Sequence, residues 1–151
     1  MSWQLDKTHS DISFSARHMM ISTVRGHFED FDGTFEVNET DPTQSKLEVV
    51  IQAASINTKE EQRDGHLKSP DFFDVAQYPT VTFKSSRIEK VDEHHFNLIG
   101  DLTIKDVSKQ VTLPVEYAGQ AKSPWGTVSA GFTASTKINR KDWGLTWNQV
   151  L

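Results

Sequence analysis

Apolar and polar residues alternate singly along most of this chain, the two-residue period of a β-strand with one dry face. Ile12, Phe14, Ala16 and His18 stand against Asp11, Ser13, Ser15 and Arg17. Phe31, Gly33, Phe35 and Val37 repeat the pattern, and so do Leu47, Val49, Ile51 and Ala53. Ala54 and Ile56 then fall on the other parity, which predicts a bulge or a strand end at Ala53-Ala54. Val81 and Phe83 mark a further strand. The clearest segment carries Phe96, Leu98, Gly100, Leu102 and Ile104 on one face, with Ile99 as the exception on the other. Val111 to Tyr117 and Val128 to Ala134 complete seven predicted strands.

Turn residues separate these runs: Asp41-Pro42-Thr43, Asp92-Glu93-His94, Asp106-Val107-Ser108 and Lys122-Ser123-Pro124. Pro114 falls inside a strand run and cannot donate to a ladder, so that strand is an edge or bulged there. One stretch breaks the period. Thr58-Lys59-Glu60-Glu61 has the capping-box form, with Thr58 as N-cap, and predicts a short helix over 59–67 stopped by Ser69-Pro70. Asp71-Phe72-Phe73-Asp74 predicts one more helical turn, started by Pro70. Its two phenylalanines are either a plug on a β core or the wall of a pocket. The expected fold class is all-β with one short helical segment. A sheet of this size exposes a dry face if it stays flat, so it curls into an antiparallel barrel or stacks as a sandwich.

At 151 residues the chain is expected to form a single domain over 1–151, large enough to bury roughly two thirds of its unfolded surface. Twenty-one acidic against sixteen basic residues give a net charge of −5, which argues against nucleic-acid binding and against adhesion to anionic lipid by charge alone. No apolar run is long enough for a membrane-spanning helix. The absence of cysteine excludes thiol catalysis, disulfides and cysteine-ligated metals. No basic and apolar leader opens the chain, so as given it is expected in the cytoplasm, or in the periplasm or outside the cell if a signal has been removed.

The candidate chemistry is sparse. The sequence has no nucleophile elbow, no phosphate-binding glycine loop and no paired metal-ligand spacing among its six histidines. No residue is therefore assigned a catalytic or metal-binding role, although a histidine site assembled from separate strands stays open. The aromatics of the dry faces either fill a barrel or line an apolar cavity. Ala16, Ala53, Gly100, Ala130 and Ala134 leave room among them for a slim ligand if they face inward. His18 sits at the polar end of the Ile12-Phe14-Ala16 face, where an imidazole can meet a head group, and Arg17 and Arg25 are strand-end cations suited to an anionic one.

Several segments resemble the YceI-like family. They include Trp3 to Phe14, Arg17 to Phe28, Arg63-Asp64-Gly65-His66-Leu67-Lys68-Ser69-Pro70-Asp71-Phe72-Phe73-Asp74-Val75, Tyr78 to Phe83, and Gly100 to Lys105 with Val111 to Val115. Gly131-Phe132 and Ile138-Asn139-Arg140-Lys141-Asp142-Trp143-Gly144-Leu145 close the match, which runs in order from Trp3 to Leu151. The resemblance implies an extended, lipocalin-like antiparallel β-barrel. Its apolar tunnel would carry or store a slim amphipathic lipid, such as a polyisoprenoid or isoprenoid quinone, without catalysis or a further cofactor. Tunnel contacts would come from Ile12, Phe14, Ala16, Phe28, Phe35, Val49, Ile51, Phe72, Phe83, Leu98, Leu102, Phe132 and Trp143, and head-group contacts from His18, Arg17 and Arg25.

Two departures accompany the resemblance. Asp106 stands where the family usually has glycine. The family also continues past Trp147-Asn148 into a final strand, whereas this chain stops at Leu151. The expected barrel thus lacks its last strand, and its first and seventh strands each lack a neighbour. Since unpaired edges template pairing, that predicts either a homodimer, strand-paired or strand-swapped, or a partly open barrel with a weakened tunnel. A filled-core interaction module in a stress response, and a histidine metal protein, are the alternative functions.

Overall fold

The computed structural model describes residues 2–18, 22–38 and 40–145, leaving aside the side chains of Ser2, His18 and Ser22. The described strands are β1 (Ser2–Gln4), β2 (Ile12–His18), β3 (Ser22–Phe28), β4 (Phe31–Glu36), β5 (Lys46–Gln52), β6 (Ile56–Asn57), β7 (Thr80–Lys90), β8 (His95–Ile104), β9 (Val107–Lys122) and β10 (Val128–Ala134). One helix, α1 (Glu61–Lys68), lies between β6 and β7, and short 3-10 turns cover Pro42–Gln44, Ala53–Ser55 and Arg140–Trp143. All pairings are antiparallel. Seven strands form one sheet in the order β1-β4-β5-β7-β8-β9-β10, and β2-β3-β6 form a second.

The two sheets share chain segments. β3 runs into β4 through Glu29 and Asp30, while β5 runs into β6 through the 3-10 turn Ala53–Ser55. Phe31 pairs with Ile51 below this corner and Phe28 pairs with Ile56 above it. Gln52 N–H donates to the Asp30 carbonyl (2.8 Å) and Glu29 N–H to the Ser55 carbonyl (3.1 Å), so the ladder carries across the bend. The parity change at Ala53-Ala54 is thus a strand end at a corner between sheets.

The large sheet is curled into a half-barrel. In sheet order β5, β7, β8 and β9 separate β4 from β10, which in a flat sheet would set them roughly 24 Å apart. Yet the ring of Phe35 on β4 meets that of Phe132 on β10 edge-to-face at 5.9 Å. Among the described residues β1 pairs only with β4 and β10 only with β9, so the half-barrel keeps open edges, and β2, which pairs only with β3, is an open edge of the small sheet. Pro114 lies opposite Asn97 on β8, one residue beyond the end of β10 pairing at Val115. Its missing N–H therefore falls where β9 has no second neighbour among the described residues. The expected loss of a strand after Trp147-Asn148 concerns residues outside those described.

Local chemistry explains several elements. The β8–β9 turn is Lys105-Asp106, with φ of 52° and 65°, the two left-handed residues of a tight hairpin. β7 carries a bulge between Ser85 and Arg87, which brings Ile88 onto the same face as Phe83. The helix begins later than the capping-box reading predicts. Lys59 takes a left-handed φ of 62°, which turns the chain so that Glu60 becomes the N-cap, its carboxylate accepting from Gln62 N–H and Arg63 N–H at 3.1 Å each. Thr58 is instead buried. Its N–H and hydroxyl both donate to Asp64, its hydroxyl accepts from Arg63 Nε (2.8 Å), and its carbonyl accepts from Arg63 Nη2 (3.0 Å). Residues 70–73 form hydrogen-bonded turns rather than another turn of helix.

Candidate functional site

Two apolar clusters divide the concave side along the strand direction. At one end Phe31, Ile51, Ala53, Val81, Ile104, Trp143 and Leu145 are buried together, and Ile12, Phe28, Phe72 and Phe73 pack against them. This end is sealed. Trp143 is 3% exposed and its Nε1–H donates to the Leu102 carbonyl (2.8 Å). Phe73 meets Phe28 edge-on at 6.0 Å. Phe72 lies between the His66 ring (5.5 Å) and the Arg140 guanidinium (5.6 Å), and Arg140 also donates to the Leu145 carbonyl (2.7 Å). The phenylalanine pair therefore acts as a plug.

Among the described residues the other end is open. Phe83, Ile88 and Leu98 form its floor, with Phe35, Leu47, Phe96, Leu113 and Val115 partly buried around them, while Val49, Leu102 and Val111 pack against both clusters. Beyond Val115 the apolar row continues through Tyr117 and Phe132, whose rings lie 5.1 Å apart, and Phe132 stays 47% exposed. A curled sheet is thus dry at one end and presents unfilled apolar surface at the other. Such a face can take an elongated apolar ligand through area burial, without directional chemistry.

The expected contacts separate between these regions. Phe35, Phe83, Leu98 and Phe132 gather at the open end, and Val49 and Leu102 lie at the seam, packed against both clusters. Ile12, Phe28, Ile51, Phe72 and Trp143 belong to the sealed end. Phe14 rests on Phe28 in the small sheet at 5.6 Å, and Ala16 is exposed. Leu47, Leu113 and Val115 join the open end, and Val111 the seam, without having been singled out, although their parity already marked them as dry-face residues. The small residues hold less free space than their size implies. A Cβ at Gly100 would come within 2.7 Å of Phe83 Cζ, so that ring occupies the room, and Phe14 likewise overlies Gly26. Ala53 is 1% exposed, packed within the sealed end.

The head-group cations do not share a face with Phe14. In the β2–β3 register Ser15 pairs with Arg25 and Arg17 with Thr23, which sets both arginines on the face opposite Phe14 and Gly26, where both are exposed. The His18 side chain lies outside those described. Four other histidines each meet one aspartate: His9 with Asp6 (2.8 Å), His27 with Asp11 (2.9 Å), His66 with Asp71 (3.1 Å) and His95 with Asp92 (2.8 Å). The Asp6 carboxyl is held down to about 2, first by the Thr8 hydroxyl and then by His9. Asp92 is lowered chiefly by the His94 N–H. Among the described residues no three His, Asp or Glu side chains converge as a metal site. An open groove of about 670 Å³ beside α1 is lined by charged groups such as Glu29, Lys59, Glu60, Asp64 and Lys68, a poor match for an apolar ligand. No helix among the described residues is long and apolar enough to cross a membrane.

Known proteins show the same pattern. Residues 3–151 match the family model of the YceI-like domain. Protein YceI of Escherichia coli O157:H7 is 40% identical over 145 residues, covering 95% of this chain and 75% of that protein. The crystal structure of Campylobacter jejuni YCEI protein is 38% identical with a TM-score of 0.77, covering 94% of this chain and 83% of that one. A polyisoprenoid binding domain from Saccharophagus degradans, implicated in plant cell wall breakdown, has a similar fold at 20% identity and a TM-score of 0.59. It covers 75% of this chain and 66% of its own.

Proposed function

Because the chain belongs to the YceI-like family, we propose that it binds a slim amphipathic lipid along its concave face and carries or stores it without catalysis. The ligand class is a polyisoprenoid, an isoprenoid quinone or a similar chain. The observation that carries this reading is the open end of the half-barrel, where Phe35, Leu47, Leu113 and Val115 stay only partly buried among the described residues. The polyisoprenoid binding described for the S. degradans domain, which shares the fold, points the same way. Each buried methylene contributes ~0.8 kcal/mol, so a chain of a dozen or more carbons offers ample gross affinity without a catalytic contact. The protein works as a homodimer paired through the open edges of β2 or β10.

The Phe83 ring over Gly100 favours a second reading, a module whose interior is filled by its own side chains. Native mass spectrometry separates the two. Gently purified protein is expected to carry a prenyl lipid, or to take one up when delipidated protein is offered geranylgeraniol or a short-chain ubiquinone. Neither co-purification nor uptake would overturn the lipid reading in favour of the filled core. Light scattering after size exclusion tests the dimer, and a monomeric mass would overturn it.

A further inference from the structure

β9 and β10 outrun their neighbours. β8 begins at His95, opposite Glu116, and the Tyr117 N–H closes on the His94 carbonyl (2.7 Å). From there to Lys122 the β9 strand pairs with β10 alone among the described residues. A two-stranded ribbon therefore projects from the open end of the concave face. Its turn is tightly organised. Ser123 N–H donates to the Thr127 carbonyl (2.7 Å), Gly126 N–H donates to the Ser123 carbonyl (3.0 Å), and the Ser123 hydroxyl accepts from Trp125 N–H (3.2 Å) and Thr127 N–H (3.0 Å). Gly126 takes the left-handed φ of 89° that the turn requires.

This fixed turn presents the most exposed large apolar side chain of those described. Trp125 is 89% exposed, and Val128 beside it is 44% exposed, directly across the ladder from Lys122. The charge pattern is distinctive. Tyr117 through Lys141 contains no Asp or Glu, in a chain with 21 of them and a net charge of −5. The acidic whole is repelled by an anionic surface, while the ribbon tip carries only Lys122. Tryptophan favours the boundary between apolar chains and water, and a lysine beside it complements anionic head groups.

We propose that the β9–β10 hairpin tip, Lys122 to Val128, docks on an anionic lipid bilayer with Trp125 inserted at the head-group level. The docking stands on the ribbon itself. Its purpose, bringing the open apolar face to the membrane for lipid exchange, rests on the function proposed above. The apolar row from Phe132 to Val128 would bridge the concave face and the bilayer.

The test is sedimentation of the full chain with vesicles of phosphatidylcholine containing one quarter phosphatidylglycerol, with no prenyl lipid present. Wild-type protein is expected to partition to these vesicles and more weakly to phosphatidylcholine alone. Trp125→Ala should weaken partitioning by on the order of tenfold, the scale of one buried aromatic side chain. Lys122→Glu should weaken it by roughly tenfold or more, since each basic charge near such a surface contributes ~1 kcal/mol and this change reverses one. Val91→Ala serves as control, because Val91 is 62% exposed but sits beside Asp92 and Glu93, and it should change nothing. Unchanged partitioning of Trp125→Ala, or equal loss in Val91→Ala, would overturn the proposal. So would a Trp125→Ala variant that alters only the mass in solution, which would assign the tip to a second copy of the chain. Loss of prenyl uptake with vesicle binding intact would strike the lipid-carrier reading alone, and the reverse outcome would strike the docking alone.

Discussion

Gly100→Ala tests how tightly the floor of the concave face is packed. An added Cβ at Gly100 would sit 2.5 Å from the Lys84 carbonyl oxygen, 2.8 Å from Ser85 Cα and 2.7 Å from Phe83 Cζ. Two of these atoms are backbone of β7 beside its bulge, so a rotamer change cannot relieve the clash. Overpacking of this kind costs about 1–3 kcal/mol, and backbone neighbours favour the upper part of that range. For a domain of this length the corresponding fall in Tm is roughly 4–10 °C. Gly65→Ala is the matched control. Gly65 lies inside α1, and a Cβ added there would meet nothing within 4 Å, so the same substitution should stabilise by about 0.5–1 kcal/mol. Urea unfolding followed by tryptophan fluorescence gives both free energies, with unchanged m-values showing that the comparison is valid. Adding Phe83→Leu to Gly100→Ala should recover only part of the loss, because the two backbone contacts remain. A Gly100→Ala protein within about 0.5 kcal/mol of wild type, the spread of ordinary surface changes, would refute the packing argument.

Asp106→Gly should stabilise by up to about 1 kcal/mol, since φ of 65° costs an L side chain more than glycine; a loss of stability in the same urea assay would contradict this. Thr58→Val should cost about 2–3 kcal/mol, because it strips the buried hydroxyl that links Asp64 and Arg63 and leaves both with an unfilled hydrogen bond; a change below about 0.5 kcal/mol would count against it. The Asp6 carboxyl, held at about 2 against 3.8 for an unperturbed aspartate, binds its proton more weakly when folded than when unfolded. Its stabilising effect is therefore full above about pH 4 and lost as the pH falls toward 2. Carbon-13 titration of its carboxyl should give that low midpoint, Asp6→Asn should flatten the acid limb of the stability curve, and a midpoint near 4 would disprove the assignment.

Alternation alone exposed most of the large sheet, because each of those strands buries one face and side chains change face at every residue. It failed at β3, where Gly26 and the charged Arg25 leave only Val24 and Phe28 to mark the dry face. Gly26 is there because the Phe14 ring lies over it, a long-range reason that the local pattern does not contain. The same blindness affected the small residues, since Gly100 makes room for Phe83 rather than for a ligand. The Thr58 capping box matched in spacing but not in backbone. Lys59 at positive φ moves the cap to Glu60, and burial commits the Thr58 hydroxyl elsewhere. Arg17 and His18 share a strand end, but neighbouring positions in a strand lie on opposite faces, so position at the end does not bring their side chains to one head group. The apolar side chains of the site were largely legible from parity; its division into a sealed and an open end was not, since that depends on Trp143 returning to cover Leu102.

The corner through which β3–β4 and β5–β6 serve both sheets also governs folding fidelity. Two residues separate Phe28 from Phe31 on one arm, and four separate Ile51 from Ile56 on the other. A one-residue slip between β4 and β5 would be passed through that fixed offset to β3 and β6, turning the residues of one arm, Phe31 with Phe28 or Ile51 with Ile56, toward water together. The alignment of the two sheets is therefore a single choice made at the corner, and a misaligned chain would break the apolar packing of both sheets at once.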